Sequence, residues 1–406
     1  MANSDPKSKF GFDRNRRQMR VYLDHNATVP LRPQALAATI AALDAANASS
    51  VHAEGRAARA LIEQARAQVA ALVGAAPRTV TFTSGATESI ALALSPEIEV
   101  AGRAQRFDAL LISGVEHPAV RAGGRFAADR IEILPVDSDG VVDLDALDSA
   151  LDRHRKAGLR ALVSIMAANN ETGVLEPLAE IAARVHAAEG FFHTDAVQLA
   201  GRLPFGLVES GADLISISSH KLGGPKGAGA LIARHEDIRV TPMLRGGGQE
   251  RGLRGGTEDV AAIAGFGAGA EAACHELDAE SARIAKLRNR LEQGIRTIAP
   301  EAVIVSAGAP RLPNTTCFAV PGIAAETAVI AFDLEGAAVS AGAACSSGKV
   351  GPSAALAAMQ VPAPVAKGAV RASIGWSTTD AEIARFLEIW ERVYRSLSQR
   401  RSERAA

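Results

Sequence analysis

Cysteine, aromatic residues and net charge are all scarce in this sequence. Only 3 of its 406 residues are cysteine, 4% are aromatic, and 44 basic residues face 45 acidic ones, giving a formal net charge of −1. Three cysteines without Cys-x-x-Cys spacing argue against a disulfide framework or a zinc site and favour a reducing, cytoplasmic compartment. The near-neutral charge and few stacking side chains give no basis for nucleic-acid or membrane binding.

Long apolar runs are also missing. The best candidate, residues 260–270, is too short to span a bilayer and ends at Glu271. The N-terminus lacks the apolar stretch of a secretory signal, and residues 1–20 are polar and basic, so we expect a mobile tail there. The remaining composition, 48% hydrophobic and 22% charged, is typical of a soluble globular protein of about two domains.

Apolar strands alternate with helices through the first two thirds of the chain. Polar clusters directly follow five of the predicted strands, at Ser84–Glu88, His117, Asn169–Glu171, Asp195–Gln198 and Ser218–Lys221. In a parallel α/β sheet the carboxyl ends of the strands share one edge, where ligands bind. We therefore expect a large α/β domain over residues 21–275, with a mostly parallel central sheet and helices on both faces. Residues 276–406 have a different pattern and predict a smaller C-terminal α+β domain.

Lys221 and Asp195 are the strongest candidates for chemistry. Lys221 directly follows an apolar strand, where partial desolvation lowers the pKa of an amine and suits it to form a Schiff base. The interval of 221 − 195 = 26 residues is about one strand–crossover–strand unit, so both side chains can lie at one sheet edge. A pyridoxal phosphate (PLP) enzyme needs this pair, because the acid keeps the pyridine nitrogen protonated while the lysine holds the aldehyde. A structural salt bridge is the alternative.

Two further segments favour anion binding. The stretch 79–90 reads as a strand, a small-residue turn and a helix N-terminus, whose free N–H groups attract an anion, although an ordinary N-cap also fits. The segment 245–257 is basic and glycine-rich, which lets a backbone approach an anion closely, or makes a flexible linker. Arg371 lies in a strand-like run, where it can clamp a carboxylate or form a surface salt bridge.

The three cysteines differ in their surroundings. Cys345 lies among Gly, Ala and Ser residues near Lys349, which predicts an exposed and reactive thiol. Cys274 and Cys317 lie in apolar, regularly patterned segments, which favour inert thiols.

Ten motifs occur in order between Tyr22 and Leu397: Y-L-D-H-N-A-T, S-S-V-H, S-G-A-T-E-S, E-H-P-A-V, N-N-E-T-G, H-T-D-A-V-Q, S-S-H-K-L-G-G-P-K-G, G-G-G-Q-E-R-G-L-R-G-G-T, G-A-A-C-S-S-G and R-A-S-I-G. With these motifs the sequence resembles the cysteine desulfurases of the NifS/IscS type, PLP enzymes of aminotransferase fold type I, class V. The departures from the usual pattern, none at the Lys, Asp or Cys, are Ala343, Gly255, Ile90 and Trp376.

The resemblance implies a role for each candidate residue. Lys221 binds the PLP aldehyde, Asp195 the pyridine nitrogen and Gln198 the ring oxygen, while His117 stacks on the ring and passes protons. The implied phosphate-binding residues are Ala86 (backbone), Thr87, Ser218 and His220, joined by Thr257 from the second subunit of a homodimer. Asn170 and Arg371 bind the substrate carboxylate.

The implied reaction removes sulfur from L-cysteine, leaving L-alanine and a persulfide on Cys345 for iron–sulfur cluster assembly or thiolation. A sulfur-acceptor protein such as an iron–sulfur scaffold is the expected partner. The resemblance implies no resident metal, and at most a transient contact of Cys345 with a cluster on such a scaffold. Selenocysteine lyase or an aminotransferase on the same fold remains open, as does a non-catalytic sulfur-relay scaffold, which the Lys221–Asp195 pair disfavours.

Overall fold

The computed structural model describes residues 20–342 and 353–405. The tail predicted for residues 1–20 lies almost wholly outside this range, and Cys345 and Lys349 also lie outside it. The strands are β1 Val21–Tyr22, β2 Val80–Thr83, β3 Glu97–Val100, β4 Arg103–Arg106, β5 Ala109–Ser113, β6 Ile131–Leu134, β7 Ala161–Ser164, β8 Phe191–Asp195, β9 Leu214–Ser218, β10 Gly229–Ala233, β11 Ile238–Val240, β12 Val303–Ile304, β13 Thr315–Ala319, β14 Ala337–Ala338, β15 Ser340–Ala341 and β16 Val370–Ser373.

The α-helices cover Pro33–Ala41, Ala53–Leu72, Ala86–Ala93, Pro118–Arg121, Leu144–Lys156, Leu178–Ala187, Leu207–Ser210, Val260–Ile298, Ala325–Leu334, Ala354–Ala358, Ala363–Ala366 and Asp380–Ala405. Short 3₁₀ turns lie at Pro77–Thr79, Ala128–Arg130, Ser219–Lys221 and Gln249–Gly252. Within the described ranges, none of these helices has the length and apolar character needed to cross a membrane.

The central sheet has seven strands in the order β2-β10-β9-β8-β7-β5-β6. The four pairings among β5 to β9 are parallel, and β10 is antiparallel to both of its neighbours. This confirms the predicted mostly parallel sheet. The carboxyl ends of β5, β7, β8 and β9 consequently meet at one edge.

Both faces of this sheet are covered, as the period-two alternation of apolar side chains requires. Leu111, Val163 and Ile215 point into a core that includes the helices Ala53–Leu72 and Val260–Ile298. Leu110 and Leu162 point into a second core on the opposite face with the helix Ala86–Ala93.

The C-terminal part of the chain packs around a separate apolar core. The antiparallel sheet β12-β13-β16-β15 packs there with the helices Ala325–Leu334 and Asp380–Ala405, around stacked rings of Phe332, Phe386 and Trp390. The helix Val260–Ile298 is continuous for 39 residues and contributes to both this core and the first one, so the predicted boundary at residue 275 falls inside it. The division into two domains stays a prediction.

The N-terminal residues cross from one core to the other. β1 pairs in parallel with β14, and Asp24 forms a bridge with Ser373. A few residues later, Val29 N donates to His220 O in the central sheet region. The segment between β1 and Val29 therefore lies between the two parts of the fold, along the edge where the polar clusters meet.

Candidate active site

A cavity of about 750 Å³ lies at the shared carboxyl edge of the central sheet. All the predicted site residues within the described ranges except Thr257 line it: Ala86, Thr87, His117, Asn170, Asp195, Gln198, Ser218, His220, Lys221 and Arg371. Residues from the first strand–turn–helix unit, from four central strands and from the C-terminal sheet therefore face one space, which we call the sheet-edge cavity.

Asp195 and Lys221 follow neighbouring parallel strands. Asp195 ends β8, which pairs with β9, and Lys221 ends the 3₁₀ turn that follows β9. Burial raises the pKa of Asp195 to about 6, and the positive charge of Lys221 partly opposes this. Because a buried carboxylate is stabilised by a nearby cation, the setting of Asp195 favours a positively charged partner in the cavity.

The Lys221 amine reaches toward the N-terminal segment. Its Nζ donates to the carbonyl oxygen of Ala27 at 2.9 Å and also to that of Asn26. These acceptors hold the amine on the cavity side of its strand, so the side chain is oriented before any ligand arrives.

His117 caps the short helix Pro118–Arg121, and this fixes its tautomer. Its Nδ1 accepts a hydrogen bond from Ala119 N at 3.1 Å, so the neutral ring carries its proton on Nε2. Burial, together with Lys221, lowers the pKa of His117 to about 4. At neutral pH the ring is therefore uncharged, with an N–H available to the cavity.

The turn between β2 and the helix Ala86–Ala93 forms one end of the cavity. Glu88 Oε2 accepts from Ser84 N at 2.7 Å, and Glu88 Oε1 accepts from Arg254 Nε at 2.9 Å. The turn also lies close to β10, since a Cβ on Gly229 would stand 2.6 Å from the carbonyl carbon of Gly85. A helix N-terminus held in this way presents backbone N–H groups to an anion.

Residues that follow β9 lie beside this turn, because Gly229 on β10 pairs with both Thr83 of β2 and Ser218 of β9. His220 Nδ1 lies 3.1 Å from Thr28 Oγ1, and burial, with the positive charges of Lys221 and Lys226, lowers the pKa of His220 to about 4. Ser218 is buried at the strand end, and Lys226 also lines the cavity. Hydroxyl, imidazole and ammonium groups thus surround the space in front of the helix N-terminus.

Arg371 is more deeply buried than the sequence analysis expected. Its side chain on β16 is 1% exposed, and Nη2 donates to Asp24 Oδ1 at 2.8 Å while Nη1 donates to Asn170 O at 3.0 Å. Its Nε is buried and has no hydrogen-bond partner among the described residues. The alternative of a surface salt bridge is therefore wrong, because this guanidinium is paired inside the protein at the cavity wall.

Three residues that contact the site, Asn26, Arg202 and Asp24, were not predicted from the sequence. Asn26 O accepts from Gln198 Nε2 at 3.1 Å, and Arg202 donates to Gln198 Oε1. Asp24 is the third, through its ion pair with Arg371. The motif Y-L-D-H-N-A-T held a signal for Asp24 and Asn26, since its polar residues directly follow an apolar strand, as in the other clusters.

Two predicted residues do not join the cavity in the structure as described. Thr257 is exposed and is absent from the described residues that line the cavity. Cys345 lies outside the described residues, between Gly342 and Ser353. The other two cysteines have the settings expected of inert thiols: Cys317 is fully buried, and burial raises its pKa to about 12, while Cys274 is half-buried.

The residues present fit pyridoxal phosphate. The helix N-terminus with Ser218 and His220 provides donors for a phosphate, and the buried Asp195 provides an anion for a protonated ring nitrogen. Lys221 supplies the amine between these two features, and a cavity of about 750 Å³ has room for the cofactor with an amino acid.

Comparisons with known proteins agree with this arrangement. The family model Aminotransferase class-V matches residues 21–386. A cysteine desulfurase of Gluconacetobacter diazotrophicus is 41% identical over 377 residues, 91% of this chain and 92% of that protein. The cysteine desulfurase IscS of Dictyoglomus turgidum is 38% identical over 382 residues, 93% of this chain and 95% of that protein.

A solved structure extends the likeness to three dimensions. The NifS-like protein of Rickettsia africae matches with a TM-score of 0.82 at 36% identity, over 93% of this chain and 99% of that one. Sequence motifs, cavity geometry and fold therefore agree over nearly the whole chain. The chain belongs to the class-V aminotransferase family and, within it, to the PLP-dependent cysteine desulfurases.

Proposed function

We propose that this cysteine desulfurase converts L-cysteine to L-alanine and carries the released sulfur as a persulfide on Cys345. The observation that carries the proposal is the convergence of Asp195, Lys221, His117 and Arg371 on one cavity at the sheet edge. Each of these residues supplies a different chemical requirement of the reaction, and they come from segments far apart in the chain.

The proposed cofactor contacts follow from the two ends of the cavity. Asp195 binds the ring nitrogen, Gln198 the ring oxygen, and the neutral ring of His117 packs on the cofactor ring. The phosphate lies at the helix N-terminus and is held by Ala86 N, Thr87, Ser218 and His220. When bound, PLP acts as an electron sink that weakens bonds at the Cα and Cβ of the amino acid joined to it.

Arg371 and Asn170 orient the substrate carboxylate. The guanidinium has Asp24 as a carboxylate partner and lines the cavity together with Asn170. A carboxylate held there directs the rest of the amino acid toward Lys221. The Lys221 amine holds the cofactor aldehyde before substrate arrives and then moves the proton at the substrate Cα.

The Cys345 thiolate takes the sulfur. It attacks the sulfur atom of the substrate, so an S–S bond forms while the C–S bond breaks and its electron pair stays with carbon. A proton is then added to that carbon, which yields alanine. His117 lines the cavity, and its Nδ1 is engaged by Ala119 N, which leaves the proton on Nε2 and supports a role in proton transfer.

A homodimer completes the site in this proposal. Thr257 is exposed and is not among the described residues that line the cavity of its own chain, so we assign its phosphate contact to a second copy. Met243 and Leu244, at the start of the same glycine-rich loop, are also exposed, as expected for a surface that another subunit covers. We place the protein in the cytoplasm, with an iron–sulfur scaffold or a thiolation protein as the sulfur acceptor.

The test is peptide mass spectrometry of the PLP-loaded protein after incubation with L-cysteine. We expect added sulfur on the Cys345 peptide and one alanine released for each sulfur bound. Substitution Cys345→Ser removes the persulfide and keeps the cofactor's visible absorption, whereas Cys274→Ser changes neither. A loaded protein that binds L-cysteine but never carries sulfur on Cys345 would contradict the proposal, and keto-acid consumption in its place would identify an aminotransferase.

A further inference from the structure

Glu171 is a buried carboxyl group that no step above uses. Its Oε2 accepts a hydrogen bond from Ser353 Oγ at 2.6 Å, and Ser353 is the first described residue after the segment 343–352. On the other side, a Cβ placed on Gly342 would stand 3.5 Å from the same oxygen. Both ends of the segment that carries Cys345 therefore meet at a single carboxyl oxygen.

Each end is also fixed to the surrounding framework. Gly342 N donates to Ala369 O at 2.8 Å. Ser353 Oγ accepts from Leu356 N at 3.0 Å and so caps the helix Ala354–Ala358, in which Leu356 is fully buried. The positions where the segment leaves and rejoins the fold are thus rigid, and Glu171 lies between them.

Glu171 belongs to a turn that also contacts Arg371, the arginine proposed to bind the substrate carboxylate. Its own N–H donates to Asn169 Oδ1 at 2.8 Å, which holds the N-N-E-T-G turn in shape. The preceding residue, Asn170, accepts from Arg371 Nη1 through its carbonyl oxygen. Consecutive residues of one turn therefore contact the proposed carboxylate-binding arginine and the base of the Cys345 segment.

The surroundings of Glu171 affect how readily its carboxyl group ionises while it accepts the hydrogen bond from Ser353. Burial raises its pKa to about 7, while the Ser353 hydroxyl and Arg371 oppose that rise. The buried thiol of Cys317 is a further neighbour, because Glu171 helps to raise its pKa. Within the described part of the chain, Ser353 donates a hydrogen bond to this buried carboxyl group, and the charge of Arg371 favours its ionised form.

We propose that Glu171 is a positioning residue that sets where the Cys345 segment begins and ends relative to the bound substrate. The inference rests on the proposed function, since it assigns Cys345 the role of sulfur carrier. Glu171 touches neither substrate nor cofactor in this role. It fixes the positions of Gly342 and Ser353, the two ends of the segment from which the Cys345 thiol reaches the substrate sulfur.

The test compares Glu171→Gln and Ser353→Ala in the PLP-loaded enzyme with the control Glu176→Gln. Glu176 is also a buried carboxyl group close in sequence, but it accepts from Val142 N and contacts neither end of the segment. We expect kcat for persulfide formation to fall about tenfold in the two test variants, the loss that follows from one hydrogen bond to a charged group. The KM for L-cysteine, the PLP dissociation constant of the cofactor-free protein and the visible spectrum should stay unchanged.

A second readout follows the thiol itself. The rate at which iodoacetamide alkylates Cys345 should change severalfold in Glu171→Gln and in Ser353→Ala, and should match wild type in the control. Should Glu171→Gln fail to fold, Ser353→Ala and Ser353→Asp decide the question together. Both remove the hydroxyl donor to Glu171, and Asp keeps a side-chain acceptor for Leu356 N, so a loss that both variants share cannot come from the helix cap.

The possible outcomes separate this inference from the proposed function. Wild-type enzyme without sulfur on Cys345 refutes the proposed function, and this inference falls with it. Wild-type enzyme with sulfur on Cys345, alongside test variants that react and alkylate as the control does, overturns only the role of Glu171. A raised KM with unchanged kcat also overturns that role, because it would place Glu171 in substrate binding.

Discussion

Substitution of Glu250 should destabilise the protein through a buried ion pair behind the turn that we propose as the phosphate site. Glu250 Oε2 accepts from Arg66 Nη1 at 2.7 Å, and Oε1 accepts from Arg66 Nη2 at 2.9 Å. Both side chains are almost completely buried, at 1% and 2% exposure. Glu250 Oε2 also accepts from Phe82 N on β2, so the pair joins the glycine-rich loop to the strand that leads into the turn.

The expected magnitude follows from the charge that Glu250→Gln leaves behind. Removing one partner of a buried pair costs about 3–5 kcal/mol, because the remaining charge stays desolvated. Glu63, which is half-exposed, also contacts Arg66 and offsets part of this cost. We therefore expect the free energy of unfolding to fall by about 3 kcal/mol. An unfolding entropy of about 2.1 cal/mol/K per residue gives the chain about 0.85 kcal/mol/K, so Tm should fall by about 3–4 °C.

Differential scanning calorimetry of the cofactor-free protein measures this shift, with Glu63→Gln as the matched control. Glu63 contacts the same arginine, but its side chain is 50% exposed, so its loss should cost less than about 1 kcal/mol and lower Tm by about 1 °C or less. If Glu250→Gln lowers Tm no more than the control does, the argument from burial is wrong.

Three other variants or measurements test the environments of single groups. Arg371→Lys loses the planar fork that faces Asp24 and Asn170, so KM for L-cysteine should rise about tenfold or more while the PLP dissociation constant stays constant, as steady-state kinetics and fluorescence titration would reveal. Cys317, whose pKa burial raises to about 12, should resist iodoacetamide in the folded protein and react after denaturation, and labelling of native protein would contradict this. Burial raises the pKa of Glu176 from 4.5 to about 8, so the folded state binds this proton more tightly and the free energy of unfolding should fall as pH rises between those values. Glu176→Gln should flatten that slope in denaturant titrations at several pH values, and an unaltered slope would count against the assignment.

The sequence pattern was sufficient to predict the sheet edge that forms the site. Apolar strands followed by polar clusters predicted that Asp195 and Lys221 would lie together, and the structure places them after neighbouring parallel strands. The rule works because strand period and crossover length constrain local geometry, and parallel strands then bring all their carboxyl ends to one edge.

Contacts between distant segments could not be predicted in the same way. Arg371 and Asp24 are separated by 347 positions, and no local pattern indicates that an arginine on one sheet will pair with an aspartate near the N-terminus. The antiparallel sheet β11-β3-β4 also went unpredicted. Its hairpin Glu97–Arg106 has one fully buried apolar residue, Ile98, on β3, and β4 begins and ends with an exposed arginine, so the apolar pattern is too weak to stand out.

The path of residues 24–28 along the cavity has a consequence for biosynthesis. Asp24 pairs with Arg371, and Asn26 N donates to Ser373 Oγ, so the cavity wall joins two segments that lie 347 positions apart in the sequence. During translation Asp24 and Asn26 leave the ribosome long before Arg371 and Ser373, so these contacts cannot form until β16 has been synthesised. We therefore expect cofactor loading only after β16 has left the ribosome, and nascent chains that stop before β16 should not retain PLP.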